Sequence, residues 1–137
     1  MFIIDTNVVS ELRRPSKANP KVRAWARQVA VASQYLSAIS VLELELGVLL
    51  TTRKDAKQGA ALRKWLDEQV LREFEGRILP VDAAVAQRGA RLHVPDPKSE
   101  RDALIAATAL VHSMTVVTRN ARDFEHTGVA IFNPWGG

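Results

Sequence analysis

The sequence feature that most restricts the fold is a regular alternation of short β-type runs with longer segments of helical periodicity. We predict strands over residues 2–5, 34–38, 77–81, 115–118 and 129–132. We predict helices over residues 20–32, 40–50, 55–73, 83–92 and 102–111. Because parallel strands need long crossovers and these runs alternate with helices, the pattern predicts an α/β fold with a parallel sheet.

Length and composition are typical of one ordinary globular domain. The chain has 137 residues, of which 47% are hydrophobic and 25% charged, and we predict a single domain over residues 1–137. No apolar run approaches the roughly 20 residues of a membrane span, and the first residues do not resemble a signal peptide. The absence of cysteine excludes disulfides and thiolate chemistry. We therefore expect a cytoplasmic protein with no membrane partner.

The charge balance is basic, with 19 Lys and Arg against 15 Asp and Glu. Two stretches of the chain contain clusters of positively charged residues. The first contains Arg13, Arg14, Lys17, Lys21, Arg23 and Arg27, and the second contains Arg53, Lys54, Lys57, Arg63 and Lys64. The excess favours a polyanionic partner, although a solvated helix face explains either cluster equally well when it is taken alone.

Four acidic residues fall where predicted strands end or predicted helices begin. They are Asp5, Glu43, Asp102 and Asp123. Each also has a purely structural interpretation, as a helix cap or a turn residue. The segment from Ser40 to Glu43 has the form of a capping box, and so has the segment from Ser99 to Asp102. Glu45 is interpreted as a solvated helix residue.

The shared position of these four acids points to metal chemistry. The carboxyl ends of parallel strands lie at one edge of the sheet, where ligands bind. Two carboxylates about 5 Å apart repel by roughly 3 kcal/mol at an effective dielectric near 20, so such a cluster takes up protons or binds a divalent cation. Oxygen ligands without cysteine favour Mg²⁺ or Mn²⁺ over zinc. The three histidines are too far apart in sequence to form a helical zinc pair.

Five blocks of the sequence resemble the PIN-domain ribonucleases of the VapC toxin family, most closely its FitB-like branch. They occur in the family's order and span nearly the whole chain, at residues 2–12, 40–47, 102–109, 117–120 with 123–124, and 133–135. The resemblance implies a flavodoxin-like parallel sheet of order 3-2-1-4-5, flanked by helices. It also implies a homodimer and neutralisation by a small cognate antitoxin.

The same resemblance implies roles for eight residues. The family's four metal-binding and catalytic acids match Asp5, Glu43, Asp102 and Asp123, and its supporting polar residues match Thr6, Asn7, Thr118 and Asn120. Some relatives carry Asp in place of Asn120, which leaves open whether one ion or two bind. The implied activity is a Mg²⁺-dependent endoribonuclease that acts as the toxin of a type II toxin–antitoxin pair.

Other classes fit the sequence less well. A phosphatase of the haloacid dehalogenase type needs a second Asp two residues after Asp5, where this chain has Asn7. A receiver-like domain needs an acidic pair and a late lysine, which we do not find. The remaining alternative is a non-catalytic PIN-like nucleic-acid-binding domain, against which the presence of all four acids argues. Transfer, ribosomal and messenger RNA all remain open as the target.

Overall fold

A parallel sheet forms the centre of the computed structural model, which describes residues 1–136; the last residue of the predicted domain, Gly137, lies outside them. The strands are β1 (Phe2–Ile4), β2 (Gln34–Ser37), β3 (Ile78–Leu79), β4 (Thr115–Val117) and β5 (Ile131–Phe132). All four neighbouring pairs are parallel, in the order β3-β2-β1-β4-β5. This confirms the expected α/β fold with strand order 3-2-1-4-5.

Helices connect the strands and cover both faces of the sheet. They are α1 (Thr6–Glu11), α2 (Pro20–Gln28), α3 (Ala38–Lys54), α4 (Ala56–Trp65), α5 (Leu71–Glu73), α6 (Ala83–Leu92) and α7 (Glu100–Val111). Short 3₁₀ segments occupy Pro15–Lys17, Val31–Ser33 and Ala121–Thr127. Within residues 1–136, no helix has the length and apolar character needed to cross a membrane.

Two hydrophobic clusters lie on opposite faces of the sheet, and β1 contributes to both. Ile4 packs into one cluster with Val22, while Ile3 packs into the other with Ile105 and Phe124. Successive strand side chains point to opposite faces, so β1 is buried on both sides. Nearly all of α7 after its first turn is buried too, as its apolar sequence predicts. The ends of β1 and α7 are thereby fixed by the core.

The start of α3 differs from the sequence prediction. The helix begins at Ala38, and Ser37 is its N-cap, with the Ser37 hydroxyl accepting from the Ile39 N–H at 3.0 Å. Ser40 lies inside the helix and is fully buried, and its hydroxyl has no hydrogen-bond partner in the described part of the chain. The predicted capping box from Ser40 to Glu43 is therefore wrong, because β2 ends early enough for Ser37 to cap the helix.

The predicted helix over residues 55–73 consists of three segments. α4 runs into a π-helical turn at Leu66–Val70, which continues as α5. Gly76, with φ of +80°, follows the end of this region. α4 also packs very tightly against α3: a Cβ placed on Gly59 would lie 2.4 Å from the Cα of Thr52. Only glycine fits at that crossing.

Candidate active site

The four acids predicted as site residues all lie near the carboxyl edge of the sheet. Asp5 directly follows β1, and Glu43 lies in the second turn of α3. Asp102 lies in the first turn of α7, and Asp123 lies in the 3₁₀ segment after β4. They are close enough to influence one another, since the negative charges of the other three all act on Asp102.

Asp5 is the most firmly held of the four, with only 6% of its surface exposed. Its backbone N–H donates to the Val117 carbonyl at 2.9 Å, which extends the pairing of β1 with β4. Its Oδ1 accepts from the Thr6 N–H at 2.8 Å, as in a helix cap. Its Oδ2 accepts from the Thr118 hydroxyl at 2.7 Å and from Asn7 Nδ2 at 3.3 Å. A cap alone leaves these last two bonds unexplained.

The two buried or partly buried aspartates have raised pKa values. Burial raises the pKa of Asp5 and outweighs the hydrogen bonds from Thr118 and Thr6, which lower it; the charges of Glu43 and Asp123 raise it further. The pKa of Asp102 is raised to about 6, mainly by burial and to a smaller extent by the negative charges of the other three acids. Within residues 1–136 neither aspartate forms an ion pair. No basic side chain among these residues therefore neutralises their negative charge.

The raised pKa of Asp102 makes stability depend on pH. Its folded-state pKa of about 6 exceeds the ordinary 3.8, so the folded state binds this proton more tightly than the unfolded state does. The resulting stabilisation is complete below about pH 4 and is lost as the pH rises through about 6. Without added metal, Asp102→Asn should raise the free energy of unfolding near neutral pH by about 1 kcal/mol, which is less than the full shift because Asp102 is only partly buried.

Urea unfolding of the wild type and Asp102→Asn in EDTA, near neutral pH and at about pH 4, measures this effect. We expect the advantage of the variant to shrink in acid, where the wild-type carboxyl is protonated. A variant less stable than the wild type near neutral pH would contradict the assignment.

Glu43 is held by a residue from the end of β1 rather than by its own helix. The Thr6 hydroxyl donates to Glu43 Oε1 at 2.7 Å. On its other side, Arg101 Nη1 lies 3.7 Å from Glu43 Oε2. The sequence analysis did not identify Arg101; its position immediately before Asp102 at a helix start is the signal that could have identified it.

The predicted supporting residues join the ends of β1 and β4. Thr118 is fully buried, and its hydroxyl oxygen accepts from the Asn120 N–H at 3.0 Å while donating to Asp5. Asn7 Nδ2 lies 3.3 Å from the same oxygen, and Asn7 Oδ1 accepts from the Arg119 N–H at 3.2 Å. Thr6, Asn7 and Thr118 thus donate hydrogen bonds to the Asp5 carboxylate, and Asn120 is linked to it only through Thr118.

The donor set suits a hard divalent cation. In the chain up to residue 136, no three acidic or histidine side chains lie close enough together to ligate one ion as they stand. The carboxylates are held individually, Asp5 by Thr118 and Glu43 by Thr6 and Arg101. Carboxylate, hydroxyl and amide oxygens are nevertheless the ligands that Mg²⁺ and Mn²⁺ prefer, and two uncompensated carboxylates favour a cation.

The two basic clusters differ in how free their charges are. Part of the first cluster lines an open cleft of about 430 Å³. Its lining residues are Ser10, Glu11, Arg13, Arg14, Lys17 and Gln58. In the second cluster, Arg63 is bound to Glu45, with Nη2 2.5 Å from Oε2, and also contacts Asp67 at 3.4 Å. Glu45 is thus ion-paired rather than simply solvated, and Arg63 is not free for a polyanion.

The sequence of this chain matches a known protein family. Residues 2–130 match the PIN domain family, and the chain therefore belongs to it.

Within the family, the chain is similar along its whole length to proteins of the FitB and VapC group. It is 42% identical to Toxin FitB from Neisseria gonorrhoeae, over 98% of this chain and 99% of that protein. It is 36% identical to VapC ribonuclease Y4jK from Sinorhizobium fredii, over 98% of each. The crystal structure of FitAcB from Neisseria gonorrhoeae superposes with a TM-score of 0.89 at 41% identity, covering 98% of this chain and 99% of that one.

Proposed function

We propose that this protein is an endoribonuclease dependent on Mg²⁺ or Mn²⁺ and the toxin of a type II toxin–antitoxin pair. The observation that carries the proposal is that Asp5 and Asp102 lie among like charges at one edge of a PIN-domain sheet without a basic partner in the described chain. The names of the full-length relatives, Toxin FitB and VapC ribonuclease, support the toxin and the ribonuclease roles. An RNA substrate agrees with the expected cytoplasmic location.

In this proposal each site residue has a distinct task. Asp5, Glu43 and Asp102 hold the cation, while Asp123 and Asn120 support a second ion or the attacking water. When bound, the ion supplies positive charge at the phosphate and an acidified water for attack on phosphorus. The Thr118 and Thr6 hydroxyls orient the carboxylates of Asp5 and Glu43 before the substrate arrives. No lysine or histidine is needed as a general acid.

Binding of RNA needs positive charge outside the acidic site, because the carboxylates repel phosphate. The cleft lined by Arg13, Arg14 and Lys17 supplies such a surface. We propose that it follows the RNA backbone without reading its sequence.

A nuclease assay tests the proposed activity. Purified protein free of its antitoxin is incubated with total cellular RNA in Mg²⁺, in Mn²⁺ and in EDTA, and sequencing of the new RNA ends identifies the target. We expect cleavage with either metal, none in EDTA, and recovery when metal is restored. RNA binding without cleavage under all three conditions would instead support the non-catalytic alternative.

The partner of the toxin is proposed to be a small cognate antitoxin. A solved relative, FitAB bound to an IR36 DNA fragment, superposes on 98% of this chain with a TM-score of 0.88 at 41% identity. Co-expression with the product of the neighbouring short reading frame, followed by purification on a tag carried by that product, tests the pairing. Recovery of the toxin together with loss of its nuclease activity is the expected result.

A homodimer is proposed through an apolar stripe on α3. Leu42, Leu49 and Leu50 are each about half exposed, and with Leu46 they follow the i, i+4, i+7, i+8 spacing of one helix face. Half-exposed leucines on one face are typical of a protein interface. A second copy of the chain is the proposed occupant.

Leu49→Lys should disrupt such a dimer, because it places a charge in the centre of an apolar contact. We expect the variant to sediment as a monomer at concentrations where the wild type is dimeric, with an unchanged circular dichroism spectrum. The matched control is Val94→Lys, which places the same charge at an exposed loop position. Leu12→Lys cannot serve as a control, because Leu12 packs against the core. A wild type that sediments as a monomer would refute the dimer.

A further inference from the structure

Arg119 is an exposed arginine whose guanidinium lies over an aromatic ring. Its Cζ is 5.3 Å from the centre of the Trp135 ring. In the described part of the chain it forms no ion pair. Stacking on an aromatic ring restrains a long side chain without neutralising its charge. Arg119 is therefore a pre-positioned cation available to an anion.

The backbone of Arg119 belongs to the network around Asp5. Its N–H donates to Asn7 Oδ1 at 3.2 Å, and its two neighbours in sequence are Thr118 and Asn120. The side chain can therefore be changed without removing the bond that supports the site.

A cleft beside the acids contains this arginine. It has a volume of about 500 Å³, and Arg119, Asn120 and Asp123 all line it. Arg122, Glu125 and Asn133 also line it, so two basic and two acidic side chains face the cleft. Because Asn120 and Asp123 are shared with the proposed active site, a ligand in this cleft lies next to the proposed reaction centre.

The C-terminal turn that carries Trp135 also reaches the first basic cluster. The Trp135 N–H donates to Asn133 Oδ1 at 2.9 Å, which shapes the turn. A Cβ placed on Gly136 would lie 3.1 Å from Lys21 Nζ, so this lysine lies against the turn. The turn thus contacts two basic side chains, Lys21 at Gly136 and Arg119 at Trp135.

We propose that Arg119, held against Trp135, binds a phosphodiester of single-stranded RNA adjacent to the one that is cleaved. The proposal rests on the ribonuclease function proposed above. A planar guanidinium matches two phosphate oxygens, and the contact with Trp135 restrains the side chain before binding. Arg119 would position the RNA backbone across the acidic site, so that the neighbouring phosphate faces the carboxylates that would hold the cation.

The first test measures binding separately from cleavage. In an Asp5→Asn background, the affinity for a short fluorescein-labelled single-stranded RNA of random sequence is measured by anisotropy over a series of salt concentrations. Arg119→Gln should weaken binding about tenfold and reduce the slope of log affinity against log salt by about 0.7. Arg119→Lys should keep the slope and lose part of the affinity, because it keeps the charge but not the planar fork.

Arg72→Gln is the matched control, since it removes the same charge. Arg72 is an exposed arginine of α5, and no hydrogen bond or ion pair involves its side chain between residues 1 and 136. It should change RNA affinity less than about twofold. Equal effects of Arg119→Gln and Arg72→Gln would overturn the proposal, because net charge alone would then explain them.

The second test concerns Trp135. Trp135→Leu should weaken RNA binding, and it should add little in the Arg119→Gln background if the ring acts through the guanidinium. Trp135→Phe keeps an aromatic face and should retain most of the affinity. Trp135 also packs against the core, so thermal melting identifies any variant that is partly unfolded. Fully additive effects of Trp135→Leu and Arg119→Gln in folded protein would contradict the assigned role of Trp135.

Cleavage by the otherwise wild-type protein separates the two proposals. If RNA is cleaved in a metal-dependent manner and Arg119→Gln has the same kcat/KM as Arg72→Gln, the phosphate site is refuted and the ribonuclease function stands. If RNA is bound through Arg119 but never cleaved, the phosphate site stands and the catalytic function fails. If RNA is neither bound nor cleaved, both are refuted.

Discussion

Asp5→Asn should abolish metal-dependent RNA cleavage while leaving the protein folded. Asp5 accepts from the Thr6 N–H at Oδ1 and from Thr118 and Asn7 at Oδ2. An amide has nearly the same shape and keeps one acceptor oxygen, but it does not supply the negative charge that a cation requires. We expect a loss of about 10³-fold or more in cleavage rate, which corresponds to about 4 kcal/mol of transition-state stabilisation.

The same variant should melt at an equal or higher temperature than the wild type. Burial raises the pKa of Asp5, which means that the buried negative charge opposes folding, and the amide removes this charge. Thermal melting in EDTA and an RNA cleavage assay in Mg²⁺ are the two measurements. Asp96→Asn, in an exposed loop, is the matched control and should leave both unchanged. Full cleavage activity in Asp5→Asn would refute the assignment of Asp5 as a metal ligand.

The largest effect on stability is expected from Gly59→Ala. The added methyl group would lie 2.4 Å from the Cα and 2.7 Å from the Cβ of Thr52, so relief requires the backbones of α3 and α4 to separate. Overpacking against backbone is costlier than against a flexible side chain, and we expect a loss of about 3 kcal/mol in the free energy of unfolding. Urea unfolding measures it, with the m-value as a check on two-state behaviour.

Gly47→Ala is the control for the intrinsic effect of alanine in a helix. Gly47 lies in α3, and a Cβ placed there meets nothing within 4 Å. Alanine should therefore raise the free energy of unfolding by about 0.5–1 kcal/mol through its higher helix propensity. Opposite signs at Gly59 and Gly47 are the expected result. Stabilisation at both positions would show that α3 and α4 are not as closely packed as described.

The strand order was predictable, but the local start of α3 was not. The order came from a resemblance that spans nearly the whole chain, and the alternation of strands and helices independently favoured a parallel sheet. The start of α3 depends on which of two serines caps it, and both Ser37 and Ser40 fit the local sequence. The point where β2 stops pairing decides between them, and that is a tertiary property.

The acids of the candidate site were identifiable from their positions after strands and at helix starts, but their contacts were not. That Glu43 is held by the Thr6 hydroxyl depends on how α3 lies relative to the end of β1. The approach of Arg101 to Glu43 and the stacking of Arg119 on Trp135 join residues far apart in sequence. Neither pair belongs to a local spacing pattern, so only the folded chain shows that the two members of each pair are in contact.

The hydrogen bond from the backbone N–H of Asp5 to the Val117 carbonyl fixes where this residue lies. It makes the backbone of Asp5 part of the sheet, so this backbone cannot move away unless β1 and β4 separate. Gating by a swinging loop is thus ruled out for this residue. An inhibitor that fills the pocket would therefore leave the backbone beneath Asp5 in place.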